Sequence, residues 1–498
     1  MKVLLVSMPD VVPILVHEAA VHIPNLGIAS IGGNIDSEHD VFLVDLIRKR
    51  RSVKKYLTKI IGKIKPDLIG LSAMAWQYNT CIKIAHLIRE LQPDVKIVIG
   101  GYHATLMAKE IADSPQSQWI DFIVRGEGEE VCRRLVNALV GKDTCFDIPG
   151  LSYRSDSDGK FIHNSRAENL DLETIKLPIR DKRRLTWGYH LMNAGIETLE
   201  TSRGCTRSCN FCSMKNMYGR SFRMYPIKRV LEDIDDIYYN RKVRSIFITD
   251  DNMVLNPTRV MELCDAIIAR GYKKLKLFVQ ADCITMSMRE DMVAKMAAAG
   301  FCSVFLGIEN GSKKNLSAAD KGDIVAASRK AIENCHKYGI MVIGGLIFGF
   351  PEDDVESIAE NYEFFKDIGA DAAYCQIITP YPKTGMRDYL LSKDLITNKT
   401  DLKKYNGLWA NVRTNFLDSD ALQYHFWYQR QIVFGWWKPP NAVKKQGRLW
   451  TWIWLFLFKP FLKLHYRRVM KKYGWQGRYK REIGRLGRMN TFNDLEEY

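Results

Sequence analysis

Thr201-Ser-Arg-Gly-Cys205-Thr-Arg-Ser-Cys209-Asn-Phe-Cys212 sets three cysteines in a C-x3-C-x2-C triplet, with an aromatic residue before the last. Three thiolates on one short loop can hold three corners of a cubane iron-sulfur cluster and leave the fourth iron open to a reactant. A structural zinc site wants four closed ligands, and no second Cys/His pair stands nearby at finger spacing. A disulfide framework fits worse, because the 11 cysteines are an odd number scattered through 498 residues with no secretory leader. The other cysteines, Cys264, Cys302 and Cys375 among them, fall in apolar segments and read as small core residues. The expectation is a reduced, intracellular chain.

Downstream of the triplet, short β-rich runs alternate with longer helical patterns. The runs are Ser245-Ile-Phe-Ile-Thr249, Leu275-Lys-Leu-Phe-Val279, Ser303-Val-Phe-Leu-Gly307, Met341-Val-Ile-Gly-Gly345 and Ala373-Tyr-Cys-Gln-Ile377. Such spacing predicts repeated βα units around a parallel sheet, and a partial (β/α)6 barrel is the natural closure. In parallel barrels the chemistry gathers at the carboxyl ends of the strands. Polar or glycine-rich clusters stand there: Asp250-Asp251-Asn252, Gln280 with Asp282, Gly307 to Gly311, Gly345 to Glu352, and Thr379 to Thr384. Taken singly, an acidic pair is usually solvated and a glycine-rich strand end is often only a turn.

In this order the triplet and strand ends resemble the radical S-adenosylmethionine (SAM) enzymes. The resemblance implies a 4Fe-4S cluster on Cys205, Cys209 and Cys212, with SAM chelating the open iron and cleaved to methionine and a 5'-deoxyadenosyl radical. It places Phe211 near the adenine, and Asp250, Asp251 and Asn252 at the SAM amino group, which carboxylate and amide oxygens suit. Gln280 joins this SAM-binding set. Gly307-Ile-Glu309-Asn-Gly311 is similar to the family's Gly-Ile-Glu-Ser run, with Asn310 in place of Ser. Gly345-Leu-Ile347-Phe-Gly349-Phe-Pro-Glu352 fits the family's G-x-I-x-G-x-x-E pattern near adenine. Lys383 departs from it, standing where relatives usually have Gly.

The N-terminal region carries another pattern. Val3-Leu-Leu-Val6, Val41-Phe-Leu-Val44, Leu68-Ile-Gly-Leu71, Ile97-Val-Ile99 and Phe122-Ile-Val124 are continuous apolar runs, as in a doubly wound sheet covered on both faces. Ligands bind such sheets at the carboxyl ends of the strands. Those ends hold Ser72, Gly100-Gly101-Tyr102-His103 and Gly126-Glu127-Gly128-Glu129. Glycines let a large planar or phosphate-bearing ligand approach the backbone, and Ser72 can donate to a buried nitrogen. An ordinary flavodoxin-like domain with tight turns would explain any one of these motifs. The ordered set resembles the cobalamin-binding domain that precedes many radical SAM cores, which implies a cobalamin site at Ser72, Gly100, Gly101, His103, Gly126 and Glu127. The D-x-H-x-x-G motif that supplies a histidine to cobalt elsewhere is absent. His17, His22 and His103 are the remaining candidates, and the expectation is a base-off cofactor without His ligation.

These readings divide the chain into a flavodoxin-like domain over residues 1–145, a hairpin and linker over 146–190, a barrel over 191–395 and a helical extension over 396–498. The extension is outside the resemblance. It holds Phe434-Gly-Trp-Trp-Lys-Pro-Pro440 and Leu449-Trp-Thr-Trp-Ile-Trp-Leu-Phe-Leu-Phe458 amid lysines and arginines, and contributes much of the net charge of +16. That apolar run is about half of what a transmembrane helix needs. Tryptophan prefers the headgroup level and basic residues favour anionic lipid, so a peripheral membrane contact is expected. Nucleic-acid binding would interleave aromatic and basic residues across a face, and here they form one block, so no nucleic acid is expected. A core helix capping the barrel is the plain alternative. The expected location is the cytoplasm or the cytoplasmic face of the membrane.

The resemblance implies a C-methyltransferase that uses SAM twice, once to form methylcobalamin and once as a radical source, and methylates an unactivated carbon. A flavodoxin- or ferredoxin-type electron donor is implied as well. A hydrophobic substrate is expected, a bacteriochlorophyll-type tetrapyrrole first and hopanoid or isoprenoid lipid next. The alternative enzyme is an oxidative cyclase without methyl transfer. A cobalamin or light sensor is the non-enzyme alternative, and the intact cluster loop argues against it.

Overall fold

The computed structural model describes residues 1–11, 21–155, 157–191, 194–434 and 459–498. The first half of the chain yields strands β1 (Lys2–Ser7), β2 (Val21–His22), β3 (Asp40–Asp45), β4 (Leu68–Ser72), β5 (Lys96–Gly100), β6 (Phe122–Val124), β7 (Leu151–Arg154) and β8 (Phe161–His163). All but β2 form one sheet in the order β3-β1-β4-β5-β6-β7-β8. Its first five strands are parallel and match the five apolar runs read from the sequence. Helices cover both faces, which is why these strands tolerate no polar alternation. The helix Val53–Ile64 shows the logic: Val53, Leu57, Ile60, Ile61 and Ile64 face inward at helical spacing, and Lys65 ends it in a left-handed conformation. The order in which strands are added reverses between the parallel strands β1 and β4, whose ends lie in register at Ser7 and Ser72. A ligand crevice is expected beside that reversal.

The second half continues with β9 (His190–Leu191), β10 (Ala194–Leu199), β11 (Ser202–Arg203), β12 (Arg223–Met224), β13 (Ser245–Ile248), β14 (Lys276–Ala281), β15 (Phe301–Glu309), β16 (Met341–Phe348) and β17 (Ala372–Ile377). Strands β10, β13, β14, β15, β16 and β17 are parallel, six βα units of an open barrel. Its helices are cut to length by ordinary signals. Pro257 opens the helix Pro257–Arg270 behind the Asn256 cap, and Gly271 closes it in the left-handed region. At its β10 edge the barrel sheet is extended by β9, antiparallel to β10, and then by β2, antiparallel to β9.

Two boundaries differ from the sequence reading. The first sheet does not stop at residue 145, because the expected hairpin, β7 and β8, adds to it through β6. Conversely, β2 lies within the expected first domain yet pairs with the barrel sheet. The expected linker is no loose tether either. Arg180 is 1% exposed and bonds Asp233 at 2.5 Å and the Thr198 carbonyl at 2.7 Å. The extension starts as irregular chain with an Ile396–Val412 bridge and one short turn at Leu402–Lys404, and then holds the helices Ser419–Phe434 and Lys459–Met489, the second kinked at Gly474. The first of these is a core element, since Leu422 and Phe426 join the barrel core and Tyr362 donates to the Phe426 carbonyl. Among the described residues no helix is long and apolar enough to cross a membrane. The Trp-rich run 449–458 and His17 lie outside the described residues.

Candidate active site

Strand β10 runs straight into the cysteine loop. After Glu200 the chain forms the short pair β11 and β12, then turns at Gly204. Gly204 has φ +88°, and a Cβ there would lie 2.3 Å from the Ser221 carbonyl oxygen, so the turn requires glycine. Cys205, Cys209 and Cys212 are partly buried and unpaired. The Cys212 amide donates to the Cys209 carbonyl at 3.2 Å, folding the loop back on itself. Burial pushes the Cys209 thiol up and the Cys212 thiol up to about 12, with the neighbouring thiols and Asp251 adding to the second. Coordination to iron would deprotonate them outright. Among the described residues no three His, Cys, Asp or Glu side chains converge on one ion. In a cubane the three thiols would each bind a separate iron and need no such convergence. Phe211 packs partly buried on the barrel core.

The strand ends around this loop are heavily tied together. Asp250 accepts from the Thr201 amide (2.6 Å), the Thr201 hydroxyl (2.5 Å) and the Ser202 hydroxyl (2.6 Å). Its carboxylate therefore braces the entry to the cysteine loop through three donors. Asp251 accepts from the Gly204 amide at 3.0 Å, and burial raises its pKa to about 7. Asn252 donates to Asp282 at 3.1 Å while its buried Oδ1 has no partner, an acceptor suited to an ammonium group. Asp282 also takes Arg207 of the cysteine loop at 2.9 Å, and Gln280 donates to the Asp250 carbonyl at 3.2 Å. Glu309, at φ +63°, pairs with Lys321 at 2.8 Å, and that buried lysine also feels Cys209. Gly345 lies under the Phe305 ring, 2.7 Å from where its Cβ would be, and Ile347 is buried beside it.

At the following turn the expected Glu352 is displaced. It is exposed and bonds Asn415 at 2.7 Å, with Lys314 at 3.4 Å. The buried acid is its neighbour Asp353, which accepts from the Gly349 amide at 2.8 Å, the Phe350 amide at 3.1 Å and Asn315 at 2.8 Å. Both occur in the acidic run Glu352-Asp353-Asp354, where residue type alone does not say which one turns inward.

A cavity of about 360 Å³ lies between the two sheets. The first sheet lines it with Leu5, Gly70, Ser72, Val98, Gly100 and Val124, near the carboxyl ends of β1, β4, β5 and β6. Gly101 and Gly126 continue this wall; a Cβ on Gly126 would meet nothing within 4 Å, so the cavity opens on bare backbone there. The opposite wall comes from the barrel half: Glu200, Arg203, Met217, Tyr218 and Thr249. A mostly apolar crevice with a few polar groups at a sheet's reversal point suits a large cofactor. His103 does not reach it. Its ring packs 4.3 Å from Tyr78, and burial holds its pKa down at about 4. Among the described residues no histidine lines the cavity.

Glu127 and Glu129 belong to this wall, yet their carboxylates are already engaged. Arg203 reaches Glu127 at 2.8 Å, Glu129 at 2.6 Å and Glu200 at 2.9 Å. Arg223 adds bonds to Glu127 at 2.9 and 3.1 Å, and the Leu170 amide a fourth donor at 2.7 Å. Charge complementarity was the available signal: a buried basic residue beside the first cysteine and an acidic pair in the glycine turn.

Known proteins reproduce this two-part layout. The B12 binding domain family matches residues 12–136, and the Radical SAM superfamily matches residues 199–365. An uncharacterized methyltransferase of Pyrococcus horikoshii is 28% identical over 400 residues, covering 80% of this chain and 85% of its own. The anaerobic magnesium-protoporphyrin IX monomethyl ester cyclase of Rubrivivax gelatinosus is 26% identical, covering 77% and 68%. The bacteriochlorophyllide d C-12(1)-methyltransferase of Chlorobaculum tepidum is 26% identical, covering 73% of each chain. Among solved structures, the radical SAM methyltransferase TsrM of Kitasatospora setae, with cobalamin and a [4Fe-4S] cluster bound, has the same fold. It superposes with a TM-score of 0.64 at 19% identity, over 79% of this chain and 78% of that one. The cofactors of this chain are a 4Fe-4S cluster, SAM and cobalamin. The chain carries a B12-binding domain ahead of a radical SAM core, the layout of a radical SAM enzyme.

Proposed function

We propose that this enzyme transfers a methyl group to an unactivated carbon of a hydrophobic substrate, with a tetrapyrrole of the bacteriochlorophyll type favoured and a hopanoid or isoprenoid lipid next. The observation that carries the reading is the shared cavity, walled on one side by the glycine strand ends of the first sheet and on the other by residues flanking the cysteine loop. When bound, the cofactors supply a carbon radical from SAM and a methyl group carried by cobalt. The residues around them hold and orient. Cys205, Cys209 and Cys212 would ligate the cluster, and Asn252 Oδ1 with Asp251 would take the SAM amino group. Phe211, Gly345, Ile347 and Gly349 would line the adenine side, with Gln280 and Glu309 bracing the strand ends between them. Ser72, Gly100, Gly101 and Gly126 would receive cobalamin. A flavodoxin- or ferredoxin-type protein would deliver the electron.

Tetrapyrroles are favoured because two of the relatives act on them by their names, one methylating and one closing a ring. The cyclase is the second reading, since it lies at similar identity. The basic C-terminal helix supports a substrate met at a lipid surface. Anaerobic turnover of the reconstituted enzyme with methyl-deuterated SAM and a pigment-and-lipid extract, read by mass spectrometry, tests all of this. Label in a pigment or lipid together with 5'-deoxyadenosine is the expected result. A changed but unlabelled product would replace methyl transfer with oxidative cyclisation.

A further inference from the structure

Arg203, Gly204 and Cys205 are consecutive, and each belongs to a different part of the site. Arg203 forks onto Glu127 and Glu129 of the cavity wall. Gly204 is tied through its amide to Asp251 at the end of β13, and Cys205 begins the cluster loop. Arg203, Glu127 and Glu129 are 6%, 7% and 4% exposed, so water cannot take over these bonds. A planar guanidinium held by two carboxylates has little slack, and a displacement of the Gly126–Glu129 turn must move the chain that leads to Cys205. Ser30, at 2.7 Å from Glu129, fixes the same turn to the helix Leu26–Asn34, which also lines the cavity.

We propose that Arg203 is a positioning residue that couples occupancy of the cobalamin cavity to the geometry of the cluster loop, so that the two cofactors bind cooperatively. This rests on the assignment of the two cofactors to their sites and is independent of whether the product is methylated or cyclised. Coupling between sites is reciprocal, so the cluster must tighten cobalamin by the factor by which cobalamin tightens the cluster.

The test uses the full chain and hydroxocobalamin, titrated by absorbance with and without the reconstituted cluster. The wild type should bind hydroxocobalamin about fivefold or more tightly when the cluster is present. The electron paramagnetic resonance signal of the reduced cluster should shift on adding cobalamin. Arg203→Lys keeps the charge and loses the fork; the affinity ratio should fall towards one and the spectral shift should vanish, with each cofactor still bound alone. Glu129→Gln removes one arm with a neutral isostere and should halve the ratio or more, which keeps the test open if the lysine variant fails to fold. Arg134→Lys makes the same exchange in the ion pair with Asp143, away from the cavity, and should leave the ratio unchanged. Equal affinities in the wild type, an undiminished ratio in the Arg203 and Glu129 variants, or an equal loss in the Arg134 variant would each overturn the proposal.

Discussion

Buried carboxylates at the strand ends differ in how many donors reach them, and this sets what each can do. Asp250 has three donors, and desolvation still raises its pKa to about 6. Asp10, in the loop after β1, accepts from Thr80 at 2.9 Å while its Oδ2 has no partner, and burial raises its pKa to about 7. A folded-state pKa above the unfolded value of about 3.9 means the native state keeps the proton longer, so stability declines from about pH 4 to about pH 7 and is level above. Asp10→Asn should remove that decline. Melts at pH 8 should show the variant ahead of the wild type, by on the order of 3 kcal/mol, and the gap should shrink towards pH 5. A gap independent of pH would place Asp10 in the ordinary carboxylate range. The cysteines make the other residue-scale test. Cys209→Ala should lose the cluster absorbance and SAM cleavage while hydroxocobalamin still binds; loss of both cofactors together would contradict separate sites.

Among the elements, strands with continuous apolar runs are legible in the sequence and those held by polar partners are not. The five runs of the first sheet emerge as β1, β3, β4, β5 and β6, and the five later runs as β13 to β17. The first barrel strand, Ala194-Gly-Ile-Glu-Thr-Leu199, carries a glutamate and a threonine that become buried, and its signal is lost. Glu197 is buried only because Arg183 and Arg180 of the preceding segment reach it, at 2.5 and 3.5 Å. A two-residue strand such as β2 has no pattern to read. At the site, the cysteines and glycine turns were legible from spacing, whereas Asp353 and Arg203 depend on which neighbour turns inward. Gly100 tests the glycine reading at the element that carries it. Its φ is not in the left-handed region, and a Cβ would sit 3.7 Å from Val124, so the strand can accept a side chain. Gly100→Leu should therefore fold, fill the cavity and weaken hydroxocobalamin binding by about tenfold or more, at a cost of about 1.4 kcal/mol. Unchanged affinity with a normal cluster would move the cobalamin site elsewhere.

At the scale of the whole molecule, residues 490–498 return to the first sheet. Asn490 and Val11 exchange two 3.0 Å bonds, Asp494 caps the helix Val53–Ile64 at Lys54, and Phe492 and Leu495 join the core beneath that helix. Burying two such side chains is worth about 1.5–3 kcal/mol each and the cap about 1 kcal/mol. Deleting residues 490–498 should lower the melting temperature by several degrees and weaken hydroxocobalamin binding more than cluster assembly, because the tail braces the loop whose Asp10 carbonyl accepts from the cavity residue Gln77. Equal effects on both cofactors would make the tail a general brace. Between the barrel and this return lies the long basic helix, and its two halves differ. Past Gly474 it packs on the helix Ser419–Phe434, with the Trp427 and Trp475 rings 6.0 Å apart. Before Gly474 it leaves Phe461 and Leu464 67% and 48% exposed, with Arg468, Lys471 and Lys472 exposed as well, and Glu482 is the one acid of the whole helix. Exposed apolar and basic side chains side by side suit an anionic lipid surface, where each basic residue near the headgroups contributes about 1 kcal/mol. The full chain should sediment with vesicles containing phosphatidylserine and much less with pure phosphatidylcholine. Raising salt from about 0.1 to 1 M shortens the screening length about threefold and should release most of it. Lys471→Glu with Lys472→Glu should reduce binding at least tenfold at low salt. Equal binding to both vesicle types would leave the charge without a role at this surface, and no binding to either would leave the tail as a structural cap.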